Sequence, residues 1–173
     1  MIKLTNVSLM RGRKVLLESA SAQVFPGHKV ALIGSNGCGK STLFSLLRNE
    51  MSVDAGDCVV PADWRIVSVA QETPATDRRA IEYVIDGDKN LRRLQAQLHQ
   101  AEQDEDGVLI GKIHGLLEQA GAYDVEARAA TILSGLGFTN VQLTAPVTDF
   151  SGGWRMRLNL AQALLCPSDL LLL

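Results

Sequence analysis

Residues Val30 to Thr42 read V-A-L-I-G-S-N-G-C-G-K-S-T: a short apolar run, a glycine-rich turn, then Lys-Ser-Thr at the head of a leucine-bearing segment. Gly34, Gly39, Lys40 and Ser41 fill the fixed places of G-x-x-x-x-G-K-S/T, the pattern of a P-loop that holds the phosphates of a nucleoside triphosphate. Each residue type has a physical reason. Glycines let the backbone wrap closely, so that bare N–H groups from Gly34, Ser35, Asn36, Gly37, Cys38 and Gly39 on to Thr42 form an anion nest at a helix N-terminus. Lys40 supplies a point charge for the β and γ phosphates, and the Ser41 hydroxyl is an oxygen ligand suited to Mg²⁺. An ordinary glycine turn is the bland alternative. The flanks argue against it, because Val30 to Ile33 reads as a buried strand and Ser41 to about Asn49 as a helix.

A second glycine-bearing helix start lies far downstream. Ser151-Gly152-Gly153 precedes Trp154 to Leu165, a helical stretch with Met156, Leu160, Ala163 and Leu164 expected inward and Ser151 as the N-cap candidate. The two glycines leave backbone N–H groups uncovered, a second phosphate contact on the same physics as the first. Alone the triplet is a weak signal, since most such triplets are loops.

The elements around these two loops follow from pattern. From Ile2 to Val24 short apolar and polar pieces alternate around an Arg11-Gly12 turn, which predicts antiparallel strands. Pro26-Gly27 turns the chain toward the P-loop, and the helix after it should bury Leu43, Leu46 and Leu47. Asp54 to Asp57 reads as a turn, and Trp64 to Val69 as an alternating strand ending at Ala70-Gln71-Glu72. After Pro74 the pattern is helical to about Gly137. Leu91, Leu94, Leu98 and Ala101 form one stripe, and Ile113, Leu116 and Leu117 another. The polar break Gln103 to Gly107 between them predicts an antiparallel helical hairpin, and a further helix over Val125 to Leu136 is closed by Gly137. Pro167 stops the last helix, and Leu170 to Leu173 reads as the start of a buried strand.

Composition sets bounds on this picture. The 173 residues suffice for one domain with a real core, and a net charge of −2 offers no global attraction for nucleic acid or an anionic membrane. No apolar run approaches the ~20 residues that span a bilayer, and no secretory h-region is present, so a cytoplasmic protein without stable membrane insertion is expected. Cys38, Cys58 and Cys166 have no metal-type spacing and are expected as reduced thiols.

Taken together, these residues resemble the nucleotide-binding domain of the ABC ATPases. G-S-N-G-C-G-K-S-T corresponds to the Walker A loop, Gln71 to the Q-loop glutamine and F-S-G-G-W to the signature motif, in the family's order. The run S-G-G-W-R-M-R-L-N-L-A-Q-A-L is similar to the first cassette of the ABC-F subfamily, and in particular to its YheS-like branch. The resemblance implies an α/β P-loop NTPase fold of the ABC type, with an N-terminal antiparallel β subdomain and an inserted helical subdomain, incomplete at the C-terminus. One partial domain over 1–173 is expected: β subdomain and P-loop core in 1–73, helical subdomain in 74–150, signature helix and start of the Walker B strand in 151–173. It implies ATP and Mg as ligands, with Ser41 and Gln71 at the metal and Gln71 coupling water to it. Ser151, Gly152 and Gly153 would act in trans, on ATP held by a second cassette of the same protein. The ribosome is the implied partner, through the hairpin near Gln103 to Gly107, where Arg92 and Arg93 are either contact residues or a solvated helix face.

Three departures qualify the resemblance. The family's adenine-stacking aromatic is replaced by Arg11, whose guanidinium offers a weaker platform with less base selectivity. Trp154 stands where Gln or Glu is common. Leu173 comes before the Walker B Asp and Glu, so the chain by itself is expected to lack the general base for hydrolysis, and Val30 to Ile33 to expose a strand edge. Two other functions fit the same motifs: the ATP-binding subunit of a membrane ABC transporter, and a nucleotide switch that does not hydrolyse.

Overall fold

The computed structural model describes residues 1–70 and 74–173. They form two compact units, Met1–Ile66 and Val67–Leu173. In the first, the alternating pieces form two strands, β1 (Ile2–Arg11) and β2 (Lys14–Val24), joined antiparallel at Gly12, whose φ of 62° suits a residue without Cβ. Helix α1 (Lys40–Leu47) carries Leu46 into a small core with Val7 and Leu9, while Leu43 is half-buried against it.

Two expectations for this unit are corrected. Val30 to Ile33 is not a strand, and Ile33 is 91% exposed. A strand exists through hydrogen bonds to neighbours, and among the described residues none pairs with this run; apolar composition cannot replace the partners. Asp54 to Asp57 is not a turn but opens β3 (Ala55–Val59), which pairs antiparallel with β1 and completes a sheet of order β2-β1-β3. Gly56, the residue that suggests a turn, serves the strand instead. Its φ is 80°, and a Cβ there would stand 2.2 Å from the Asn6 carbonyl oxygen, at a bulge between β1 and β3.

Strand β4 (Ile66–Ser68), which leads into the second unit, pairs with β5 (Leu170–Leu172), extended by Val69 N–H donating to the Leu172 carbonyl at 3.0 Å. The helices between them are α2 (Ala80–Ile85), α3 (Lys89–Gln103), α4 (Gly107–Gln119), α5 (Val125–Gly135), α6 (Asn140–Leu143) and α7 (Gly152–Leu165). Short α2 is the centre: all its residues but Glu82 are buried, and it packs on α5 and α7. The predicted hairpin is α3 and α4. Asp88 and Asp106 cap them, each carboxylate accepting from a backbone N–H two residues into the helix at 3.0 Å, worth about 1 kcal/mol per cap. Helix α5 ends as its glycine predicts. Gly137 has φ 92°, and Phe138 N–H donates to the Leu133 carbonyl at 3.0 Å in a Schellman closure.

The helical period is as expected but its phase is shifted in places. On α7 the buried residues are Leu158, Asn159, Ala161, Ala163 and Leu165, whereas Met156 and Leu164 are 49% and 45% exposed. On α4 the stripe is Ile113 and Leu117, with Leu116 exposed. A count of apolar positions fixes the 3.6-residue period, while the direction of the face depends on neighbours.

Arg92 is not free for a distant contact. Its guanidinium pairs with Glu82 and, at 2.7 Å, with Asp86, which also accepts from Arg78 at 2.9 and 2.7 Å; Arg93 donates to Asn90 at 2.8 Å. Burial would raise the Asp86 pKa, but the two guanidinium groups outweigh it and hold the carboxyl below its ordinary value. All three cysteines are free, as expected; burial, aided by Asp88, pushes the Cys166 thiol up to about 11, so it stays protonated at neutral pH.

Two stability predictions follow from this packing. Gly56→Ala should destabilise the protein by about 2 kcal/mol or more, read as a fall in the urea midpoint; an unchanged midpoint would mean the strands tolerate a Cβ at the bulge. Because the folded pKa of Asp86 is depressed, its contribution is complete above the unfolded carboxylate value of about 3.9 and is lost as pH falls through the lower folded value. Asp86→Asn should therefore cost about 1 kcal/mol at neutral pH, with the gap to the parent closing on acidification. A gap independent of pH would contradict the ion-pair account.

Candidate functional site

The P-loop residues fold into a cradle whose shape depends on glycine at three places. Gly37 and Gly39 have φ 74° and 108°, left-handed values that a side chain resists, and a Cβ on Gly34 would stand 2.6 Å from the Cys38 sulfur. Cys38 N–H donates to the Ser35 carbonyl at 3.3 Å, which turns the loop back on itself. Gly39 is the residue before α1 and bears no capping side chain, so the first-turn amides from Lys40 onward keep the orphan donors of a helix N-terminus. Leu43 N–H, donating to the Gly39 carbonyl at 2.9 Å, is the first amide paired within the helix.

Lys40 lies across this cradle. Its Nζ donates to the carbonyls of Gly34 at 2.8 Å and Ser35 at 2.9 Å. A cation is thereby fixed by two backbone carbonyls, and its remaining donor capacity suits phosphate oxygen. Ser41 is exposed one residue into the helix, while Thr42 is buried. These residues fit a Mg²⁺-bound triphosphate by kind: amide donors, one ammonium and one hydroxyl oxygen.

The hairpin of the same unit supplies the surroundings. Lys14 Nζ donates to the Gly37 carbonyl at 2.8 Å, so a second ammonium binds the crest of the loop. Pattern reading missed Lys14; its one signal is a cation close after the Gly12 turn. Leu16 packs where a Cβ on Gly39 would stand, at 3.1 Å, and thus explains why that position excludes side chains. Arg11 pairs across the hairpin with Lys14 and is exposed at the same end of the two strands.

The other predicted site residues belong to the second unit. Ser151 is at the N-cap of α7 with φ −63° and ψ 163°, but its side chain makes no capping hydrogen bond. Gly152 and Gly153 are exposed, and a Cβ on either would meet nothing within 4 Å. The turn is held from behind. Arg155 Nε donates to the Phe150 carbonyl at 2.7 Å, and Trp154 sits edge-on to Phe138 with centroids 4.8 Å apart. Arg157 lies 4.6 Å over the Trp154 ring and donates to the Leu136 carbonyl at 3.1 Å. Trp154 is thus a packing anchor for the helix start. Gln71 lies outside the described residues. Among those described, no group of three or more His, Cys, Asp or Glu side chains could hold a metal ion.

Comparison with known proteins agrees with this anatomy. The family model described as ABC transporter matches residues 17–173. "Probable ATP-binding protein YheS" of Escherichia coli K12 is 56% identical over 173 residues, covering 100% of this chain and 27% of that protein. "ATP-binding cassette sub-family F member 3" of Mus musculus is 37% identical over 181 residues, covering 99% of this chain and 24% of that protein. The chain thus spans about a quarter of the length of these relatives. Among solved structures, one titled "Structure of ATP binding subunit of ABC transporter" aligns with a TM-score of 0.63 at 19% identity, over 95% of this chain and 62% of that one, which shows a shared fold. With the P-loop cradle in place and a family match over residues 17–173, this chain belongs to the ABC transporter family as an ATP-binding-cassette domain.

Proposed function

We propose that this chain is the first ATP-binding cassette of a tandem-cassette ATPase that acts on the ribosome. The observation that carries the ATP-binding part is Lys40, fixed by the Gly34 and Ser35 carbonyls within a loop of left-handed glycines ahead of an uncapped helix. The ribosomal part is supported by the likeness to ABC-F proteins and by the α3–α4 hairpin, in the place where that subfamily carries its arm.

In this reading Gly34 to Thr42 grip the phosphates through N–H groups, Lys40 neutralises charge between the β and γ positions, and Ser41 ligates Mg²⁺. Bound Mg²⁺ would supply further neutralisation on the phosphate oxygens. Ser151, Gly152 and Gly153 would present their amides to the γ-phosphate held by the second cassette, so that two ATP molecules close two composite sites. Gln71 would couple Mg²⁺ and the attacking water. Arg11 would lie against adenine as a stacking cation. The reaction is hydrolysis of the γ-phosphate, and closure of the cassettes would do the work on the translating ribosome. No helix of the described residues is long and apolar enough to cross a membrane.

Lys40→Ala in the full-length protein should weaken ATP binding at least about tenfold in equilibrium titration. The same variant should abolish ATP-dependent cosedimentation with ribosomes; retained ATP affinity would refute the P-loop assignment, and a parent protein that never cosediments would refute the ribosomal one. Arg11→Ala should weaken ATP about two- to fivefold, as lost cation–π stacking would, and should leave inorganic triphosphate binding unchanged. Equal loss for both ligands would mean that Arg11 reads charge and not the base.

A further inference from the structure

Among the described residues of the second unit, the most completely buried polar side chain is Asn159, on the inward face of α7 and 2% exposed. Both ends of its amide are hydrogen-bonded. Nδ2 donates to the Ala70 carbonyl at 2.8 Å, and Oδ1 accepts from the Tyr83 hydroxyl at 2.8 Å. Because a carbonyl can only accept, the bond to Ala70 fixes which way the amide points, and the Tyr83 hydroxyl then has to donate. The partners lie 76 and 89 residues away in sequence, on α2 and at the end of β4. Gln162, one turn along α7, donates to the Tyr83 carbonyl at 2.6 Å, so α7 grips Tyr83 at both main chain and side chain.

A buried amide with apolar neighbours costs stability unless it is satisfied, and core filling alone is met by Leu or Ala, as at Leu158 and Ala161 beside it. What Asn159 adds is direction. Ala70 is the last described residue before Gln71, and it follows Val69, which is hydrogen-bonded to Leu172. The chain is therefore held on one side by β5 and on the other by α7 just where it runs on to Gln71. Asn159 itself lies seven residues from Gly152 on α7, about 10 Å along the helix.

We infer that Asn159 is a positioning residue for Gln71: it holds Ala70, the residue before Gln71, against the helix that carries Ser151-Gly152-Gly153, with Tyr83 locking its amide. This rests on the reading of Gln71 given under the proposed function. It ties Ala70 to the helix that carries Ser151-Gly152-Gly153 by one buried side chain, so that a shift of α7 would move Ala70 with it.

The test is steady-state ATPase of the full-length protein carrying Asn159→Asp, Tyr83→Phe or Gln71→Ala, and of each of the first two combined with Gln71→Ala, with thermal melts alongside. Asn159→Asp keeps the side-chain size and the acceptor for Tyr83 but removes the donor to Ala70. Its kcat should fall about tenfold with KM for ATP held within about twofold, and the fall should vanish when Gln71 is already Ala. A full-sized fall on top of Gln71→Ala, a fall expressed in KM, or no fall at all would overturn the positioning role. Should Asn159→Asp fail to fold, Tyr83→Phe carries the same comparison with a fall of about threefold, since it frees the amide without removing the donor. A normal rate for Gln71→Ala would overturn the reading of Gln71 and this inference together, whereas a slow Gln71→Ala beside an unaffected Asn159→Asp and Tyr83→Phe overturns this inference alone.

Discussion

A single ammonium organises the first unit. The Lys40 Nζ sits between the Gly34 and Ser35 carbonyls, and those carbonyls are available to it only because the loop turns through Gly37 and Gly39 in conformations that side chains resist. A triphosphate is a cluster of anionic oxygens. Backbone N–H groups and cations bind such a cluster without the conformational cost of ordering many long side chains, provided the backbone is already in the required shape. That requirement reaches outward: Leu16 of β2 fills the space beside Gly39, and Lys14 of the same strand holds the Gly37 carbonyl. The antiparallel sheet is thus the support of the loop as well as a core of its own.

The second unit solves a different problem. Its helices bury Val84, Leu91, Leu133, Leu158 and Val147 in one apolar cluster, which supplies cohesion without direction. Direction comes from the few polar groups placed against that cluster. The ion pairs of Arg78 and Arg92 with Glu82 and Asp86 fix α2 against α3, and the Asn159 amide fixes α7 against α2 and the end of β4. Each satisfied polar group excludes the slipped packings that apolar contacts alone would tolerate.

Much of this was legible in residue patterns. The P-loop could be read because its glycines and Lys40 are demanded by chemistry that leaves little freedom of type or spacing, and Gly137 because only a left-handed closure explains a glycine there. The hairpin α3–α4 announced itself by two stripes and a polar break. What could not be read depends on partners distant in sequence. Val30 to Ile33 has a strand's composition but no strand beside it among the described residues, and Gly56 looks like a turn until Asn6 is seen to need its space. The misplaced face of α7 has the same origin, since Asn159 counts as outward by polarity and is inward because Ala70 and Tyr83 receive it.

In the proposed cassette, recognition of the nucleotide rests on phosphate, with the base secondary. The most direct measurement is a titration of the full-length protein, in the presence of Mg²⁺, with ATP, ADP, AMP and GTP. If the cradle built on Gly34 to Thr42 and Lys40 is the binding site, affinity should fall steeply from the di- and triphosphates to AMP, while GTP should bind within a few-fold of ATP, since a stacking Arg11 would not read the base edge. AMP binding as tightly as ATP would contradict it.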